Sequence, residues 1–201
     1  MDREKWLNEA EVNTILCELR RKSRRTKITR RNLILFELAT CCGLRVSEIC
    51  NLRMADVRLE ANPALRVRSG KGGKSRTVPL VWDAGTLADV TAWCAIRFAE
   101  GATESDWLLL TRQGQQLNRR GAREVYRRAC RNLIGRPVTI HAGRHTFVSR
   151  ALRFRSLAAV RDAAGHSSVA TTNLYLHAEE DWTPGSLYAP QVRQSVSAPS
   201  P

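Results

Sequence analysis

Apolar residues fall at helical spacing along most of this chain. Val12, Ile15, Leu16 and Leu19 recur on one helix face, so the pattern predicts a helix over residues 8–20. Asn8 stands where an N-cap belongs, and Leu7 is placed to staple against Val12. Residues 32–42 are so apolar that they predict a buried helix, ended by Gly43, with Ser47 expected to cap a second, short helix. Helical patterning continues over 84–99, 119–134, 140–154 and 156–164, and Gly165 closes the last of these. Ser167 or Ser168 is placed to cap one more helix, which carries Tyr175. The period changes around Gly70-Lys71-Gly72-Gly73-Lys74, where the β-type runs Leu65–Ser69 and Arg76–Leu80 flank a glycine-rich turn and predict a hairpin. Trp107–Leu110 is a short apolar segment, followed by a turn at Gln113-Gly114. The fold class expected is α+β, mainly α, with a small antiparallel sheet.

Charge changes this picture more than composition does. The 201 residues include 33 Lys and Arg against 19 Asp and Glu, a net charge of +14, which calls for a polyanionic partner. Nucleic acid and an anionic membrane surface are the two candidates. No apolar run approaches the ~20 residues needed to span a bilayer, and the first residues carry no signal-peptide core. That favours nucleic acid, no membrane and a cytoplasmic, nucleoid-associated location. Two basic segments stand out. Eight of the twelve residues from Arg20 to Arg31 are Lys or Arg, with Arg24, Arg25 and Lys27 as candidate phosphate contacts. On the helix at 119–134, Arg120, Arg123, Arg127 and Arg131 form a stripe suited to a DNA backbone. A solvated face is the plain alternative for both. The six cysteines include no C-x-x-C pair and read as reduced, mostly buried thiols rather than zinc ligands.

Several polar residues sit where chemistry could use them. His141 and Arg144, three apart, share a helix face. Arg45 and His166 follow the helix-ending Gly43 and Gly165, where a chain reversal can aim them into a cleft. Lys71 lies at the tip of the hairpin, and Tyr175 follows nine residues after His166. Each is ordinary alone, but together they suit attack on a phosphodiester. Two arginines can clamp the non-bridging oxygens, a nearby base and cationic groups can help a nucleophile lose its proton, and a lysine can protonate the leaving alkoxide. The sequence has no Asp/Glu cluster of the two-metal nuclease type, and Gly70–Lys74 lacks Walker spacing. Covalent catalysis with no metal and no cofactor is therefore the expectation. Tyr126 and Tyr188 are the other tyrosines able to serve as nucleophile.

These residues carry a family resemblance. Over roughly residues 6–180 the chain resembles the tyrosine recombinases of the lambda-integrase and Xer type. Cys42-Gly-Leu-Arg-Val-Ser-Glu-Ile-Cys-Asn-Leu-Arg53 is similar to the box of the first clamp arginine, which implies Arg45 in that role with Glu48 as its buttress. Ser69-Gly-Lys-Gly-Gly-Lys-Ser-Arg-Thr-Val-Pro-Leu80 resembles the β-hairpin box, implying Lys71 as general acid, with Lys74 as its rival. His141-Ala-Gly-Arg-His-Thr-Phe147 resembles the H-x-x-R box, implying His141 as proton acceptor and Arg144 as second clamp. Ala164-Gly-His-Ser-Ser168 through Tyr175 resembles the final box, with His166 on the scissile phosphate and Tyr175 as nucleophile.

The resemblance implies the tyrosine-recombinase (DNA breaking-rejoining) catalytic fold over 1–180 and a flexible or trans-packing tail over 181–201. It also implies cleavage and rejoining of double-stranded DNA through a 3′-phosphotyrosyl bond. The working form would be a homotetramer on two sites, with an accessory DNA-bending protein as a possible helper. Type IB topoisomerase-like relaxation and a non-cutting DNA-binding regulator are the alternatives. Three departures stand out. Gly143 replaces a leucine, a loss of packing and of about 1 kcal/mol in helix propensity. The stretch from Arg144 to His166 is about one residue short, with Arg153-Phe154-Arg155 replacing a glycine-containing turn. The catalytic region also begins almost at Met1, without the N-terminal core-binding domain, so a naturally short chain and a catalytic fragment are both open readings.

Overall fold

The computed structural model describes residues 6–68 and 75–165. Seven helices and three strands follow one another in these stretches: α1 (Glu9–Ser23), α2 (Lys27–Thr40), α3 (Val46–Asn51), β1 (Val57–Arg58), β2 (Ala64–Val67), β3 (Arg76–Pro79), α4 (Ala84–Ala99), α5 (Arg119–Ile134), α6 (Ile140–Leu152) and α7 (Leu157–Ala164). The strands form one antiparallel sheet in the order β1-β2-β3, with Leu65 opposite Val78 and Val67 opposite Arg76. This is the mainly helical α+β architecture expected, with β1 as an addition too short to show in the pattern.

α2 is the central helix. It packs against α1, α3, α4, α5 and α6, and every residue from Leu33 to Thr40 is buried. A helix apolar on all sides has to be surrounded in this way. The N-terminal half of α2 differs from expectation. Thr26 caps the helix by accepting from the Thr29 N–H, so α2 starts five residues before Asn32 and takes up part of the basic run. Only part of that run faces solvent. Arg20 donates to Glu37 at 2.9 Å and Asp89 at 2.7 Å, and buried Arg31 donates to the Leu110 carbonyl at 2.9 Å. Lys27 pairs with Glu100, whereas Arg24 and Arg25 are exposed. The Arg20–Arg31 segment is thus partly internal framework, because a buried carboxylate such as Glu37 needs a nearby cation.

Other ends follow local chemistry closely. Asn8 and Glu11 form the reciprocal capping box of α1. Ser156 caps α7 and Gly165 closes it with a φ of +67°. The cap of α3 is Arg45 rather than Ser47. Gly143 is the sharpest correction. A Cβ at this position would lie 2.5 Å from the Tyr126 hydroxyl and 2.9 Å from Thr40 Oγ1. The space a leucine would fill is therefore taken by Tyr126, which bonds Thr40 at 2.8 Å and stacks on Phe36. Five of the six cysteines are buried, Cys17 is exposed, and none of the six forms a disulfide. Among the described residues no helix is long and apolar enough to cross a membrane.

Candidate active site

The site is built around the C-terminal end of α7. The last carbonyls of a helix lack intrahelical donors and carry the negative end of its dipole, so cationic N–H groups are drawn to them. Here three arginines from separate parts of the chain meet three consecutive carbonyls. Arg76, on β3, donates its Nε–H to Ala163 at 2.8 Å. Arg144, on α6, donates to Ala164. Arg45, at the start of α3, donates to Gly165 at 3.0 Å. Arg144 also donates to the Gly43 carbonyl at 2.7 Å, which ties α6 to the turn that presents Arg45.

Glu48 completes the framework. As the third residue of α3 it accepts the Arg45 backbone N–H at 2.7 Å and Arg45 Nη1 at 2.8 Å. Arg76 grips the same carboxylate with both Nη groups, at 2.7 and 2.8 Å. Burial works against the Glu48 charge, but the hydrogen bonds and charge of Arg76, joined by those from Arg45, hold its pKa at about 2. Arg144 is 5% exposed, so its direction is fixed by packing, while Arg45 stays partly open to solvent.

The Glu48 geometry predicts an acid-labile fold. A carboxyl that titrates near 2 when folded and near 4.5 when free binds fewer protons folded than unfolded, so it stabilises the fold above pH 4.5. That contribution, about 3 kcal/mol from ~1.4 kcal/mol per pH unit, is lost as pH falls from 4.5 towards 2. Urea unfolding across this range should show the slope in the wild type and a flatter curve in Glu48→Gln. Parallel curves would mean that Glu48 is not the group responsible.

His141 lies on the exposed face of α6, in an open groove of about 510 Å³ lined also by Arg120, Arg123, Glu124, Arg127, Thr139 and Ile140. The α5 stripe and the H-x-x-R helix thus share one cationic groove. Arg127 is held by Glu124 at 2.8 Å, whereas Arg120 and Arg123 are exposed. His145 packs edge-on against His141, with ring centroids 5.2 Å apart, and faces Trp6 at 6.0 Å. Burial, followed by the neighbouring His141 and Arg144, lowers the His145 pKa. Tyr126 is excluded as a nucleophile. It is fully buried, and desolvation pushes its phenol well above the usual value. Lys71, Lys74, His166, Tyr175, Tyr188 and the 181–201 tail lie outside the described residues.

The structure therefore brings Arg45, Glu48 and Arg144 together and sets His141 beside the α5 arginines. Arg24, Arg25 and Lys27 sit at the other end of α2 from Arg45. Two residues of the site escaped the sequence reading. Arg76 carried a signal, since it shares the inward side of its strand with buried Val78, and an inward arginine demands a carboxylate. His145 follows His141 by four and so shares its helix face.

Comparison with known proteins places the chain in a family. Residues 5–181 match the model of the phage integrase family. Tyrosine recombinase XerC of Chromobacterium violaceum is 34% identical over 155 residues, covering 75% of this chain and 49% of that protein. Tyrosine recombinase XerD of Listeria innocua is 29% identical, covering 76% and 52%. The chain spans about half the length of the curated relatives it matches. Among solved structures, the XerA recombinase superposes with a TM-score of 0.72 at 28% identity, over 86% of this chain and 60% of that one. The post-cleavage complex of XerH with difH gives 0.71 at 22% identity, over 88% and 50%, a likeness of fold. The fold is that of the tyrosine recombinase catalytic domain, and the chain belongs to the phage integrase family.

Proposed function

We propose that this chain acts as a site-specific DNA recombinase that cuts and rejoins double-stranded DNA through a 3′-phosphotyrosyl intermediate. The observation that carries the reading is the convergence of Arg45 and Arg144 on the adjacent carbonyls of Gly165 and Ala164. Two guanidiniums held side by side by a rigid frame suit the two non-bridging oxygens of a phosphodiester, where charge builds up in the transition state. The names of the relatives support the same reading, since each matched XerC and XerD is called a tyrosine recombinase.

The steps follow from the residue types. Tyr175 Oη attacks phosphorus while His141 takes its proton. The P–O5′ bond breaks, Lys71 protonates the departing 5′ oxygen, and Arg45, Arg144 and His166 bind the phosphoryl oxygens. Bond energy stays in the phosphotyrosine, so a 5′-hydroxyl from a partner strand can reverse the reaction without a metal or nucleotide cofactor. Arg120, Arg123 and Arg127 hold the backbone along the α5 groove, with Arg24, Arg25, Lys27 and Lys74 as further phosphate contacts. In this reading residues 1–180 form the catalytic domain and 181–201 a tail. Strand exchange takes place in a homotetramer on two sites within the bacterial nucleoid, with help from a DNA-bending protein.

The test is covalent trapping. Wild type and Tyr175→Phe are incubated with nicked duplexes from the gene's own neighbourhood, in EDTA. A denaturation-resistant adduct is expected with wild type only. An adduct that persists in Tyr175→Phe moves the nucleophile elsewhere, and an adduct that requires added metal removes the metal-free mechanism.

A further inference from the structure

Arg76 has no step in the chemistry above, yet it is built into the clamp. Its side chain is only 10% exposed. The guanidinium meets both Glu48 oxygens in a fork, and Nε–H reaches the Ala163 carbonyl at 2.8 Å. Glu48 Oε1 also takes Arg45 Nη1, so one carboxylate holds two guanidiniums at once. The α7 end is shaped to admit Arg76. A Cβ on Gly165 would lie 2.8 Å from Arg76 Cδ and 3.0 Å from its Nε, so only a glycine lets the backbone pass this close. Through one side chain β3, the start of α3 and the last turn of α7 are therefore held together.

We propose that Arg76 is a positioning residue, whose guanidinium locks the Glu48 carboxylate and the α7 terminus in the arrangement that presents Arg45 to a DNA phosphate. The fork is the essential feature. Without it, Glu48 keeps Arg45 as its sole guanidinium partner among the described residues, and Arg45 must choose between neutralising a buried carboxylate and facing solvent. A lysine supplies a point charge but cannot meet both Glu48 oxygens and the Ala163 carbonyl in one plane. The effect on rate rests on the recombinase reading, whereas the effect on Glu48 does not.

The experiment compares full-length wild type, Arg76→Lys and Arg76→Ala in two measurements. In the first, a carbon-13 NMR titration follows the Glu48 carboxyl, and the Arg45 Nε–H signal reports how firmly that side chain is held. The Glu48 midpoint should rise from about 2 towards 4.5 in Arg76→Ala, and Arg45 should lose its fixed signal. In the second, single-turnover cleavage of nicked duplexes from the gene's neighbourhood is followed. Removing a support of a transition-state contact should slow Arg76→Ala about 100-fold with DNA affinity changed less than about threefold. Added guanidinium ion should restore part of the rate to Arg76→Ala but not to Arg76→Lys. An unmoved Glu48 midpoint overturns the proposal. So does a lower melting temperature with wild-type cleavage, since Arg76 would then only brace the fold. If wild type cuts no duplex, the recombinase reading fails, and the NMR arm still decides the role of Arg76. Should Arg76→Ala not fold, Arg76→Gln, with one donor left for Glu48, replaces it in both measurements.

Discussion

Arg144→Ala should slow DNA cleavage by a factor of about 100–1,000 or more while leaving most of the DNA affinity in place. A duplex binds through many backbone contacts, so one arginine contributes modestly to affinity. In the proposed reaction the phosphoryl oxygens gain charge next to this guanidinium in the transition state, and its contribution grows. The structure adds a condition. Arg144 is buried and donates to the Gly43 and Ala164 carbonyls, so its removal also unties α6 from the Arg45 turn and from α7. Some loss of stability, of about 1–3 kcal/mol, is expected with the loss of rate. Arg144→Lys separates the two effects, because it keeps the charge and loses the planar fork. Single-turnover cleavage and filter binding, each corrected for the folded fraction, measure both. Wild-type cleavage by Arg144→Ala would remove this residue from the site.

Gly143→Ala should destabilise the fold by about 2–4 kcal/mol, although alanine is the better helix former by about 1 kcal/mol. The new Cβ would lie 2.5 Å from the hydroxyl of Tyr126, which is fully buried and cannot retreat without leaving Phe36 and Thr40. Tyr126→Phe removes the obstructing oxygen, so the second substitution should cost less in that background, with a coupling of at least about 1 kcal/mol. Denaturant unfolding of the four proteins in the cycle measures it. Additive costs would show that Tyr126 is not what keeps residue 143 a glycine. Gly143 directly precedes Arg144 on α6, so a shift of this helix would also move the Arg144 bonds to Gly43 and Ala164.

Most of the helices were legible because their apolar spacing and caps are local properties. Asn8 with Glu11, the limits of α5, and Ser156 with Gly165 around α7 depend on residues within a turn of one another. The hairpin strands were legible from the change of period around the glycines. Arg45, His141 and Arg144 stood out by residue type and position, and Glu48 entered only through the family resemblance; the comparisons support the family. The start of α2 was misplaced because Thr26 capping and the polar first turns of a helix weigh little in a hydrophobic pattern.

The sequence by itself determined most of the helical segments, the strong positive charge of the chain, and the residue pattern of its family. Only the tertiary structure decided which arginines stay exposed and which are tied to internal partners. Arg31 is buried, half-buried Arg20 is tied to Glu37 and Asp89, and Arg76 is tied to Glu48, although each looks like any other cation in the sequence. The Gly143 departure changed its meaning in the same way, from a defect in a helix to the space that Tyr126 needs. The physical reason is range. Helix spacing and capping act over three or four residues, whereas the partner of a buried charge or the occupant of a packing gap can come from anywhere in the chain. Arg76 reaches Glu48 across 28 positions, and Arg45 reaches Gly165 across 120.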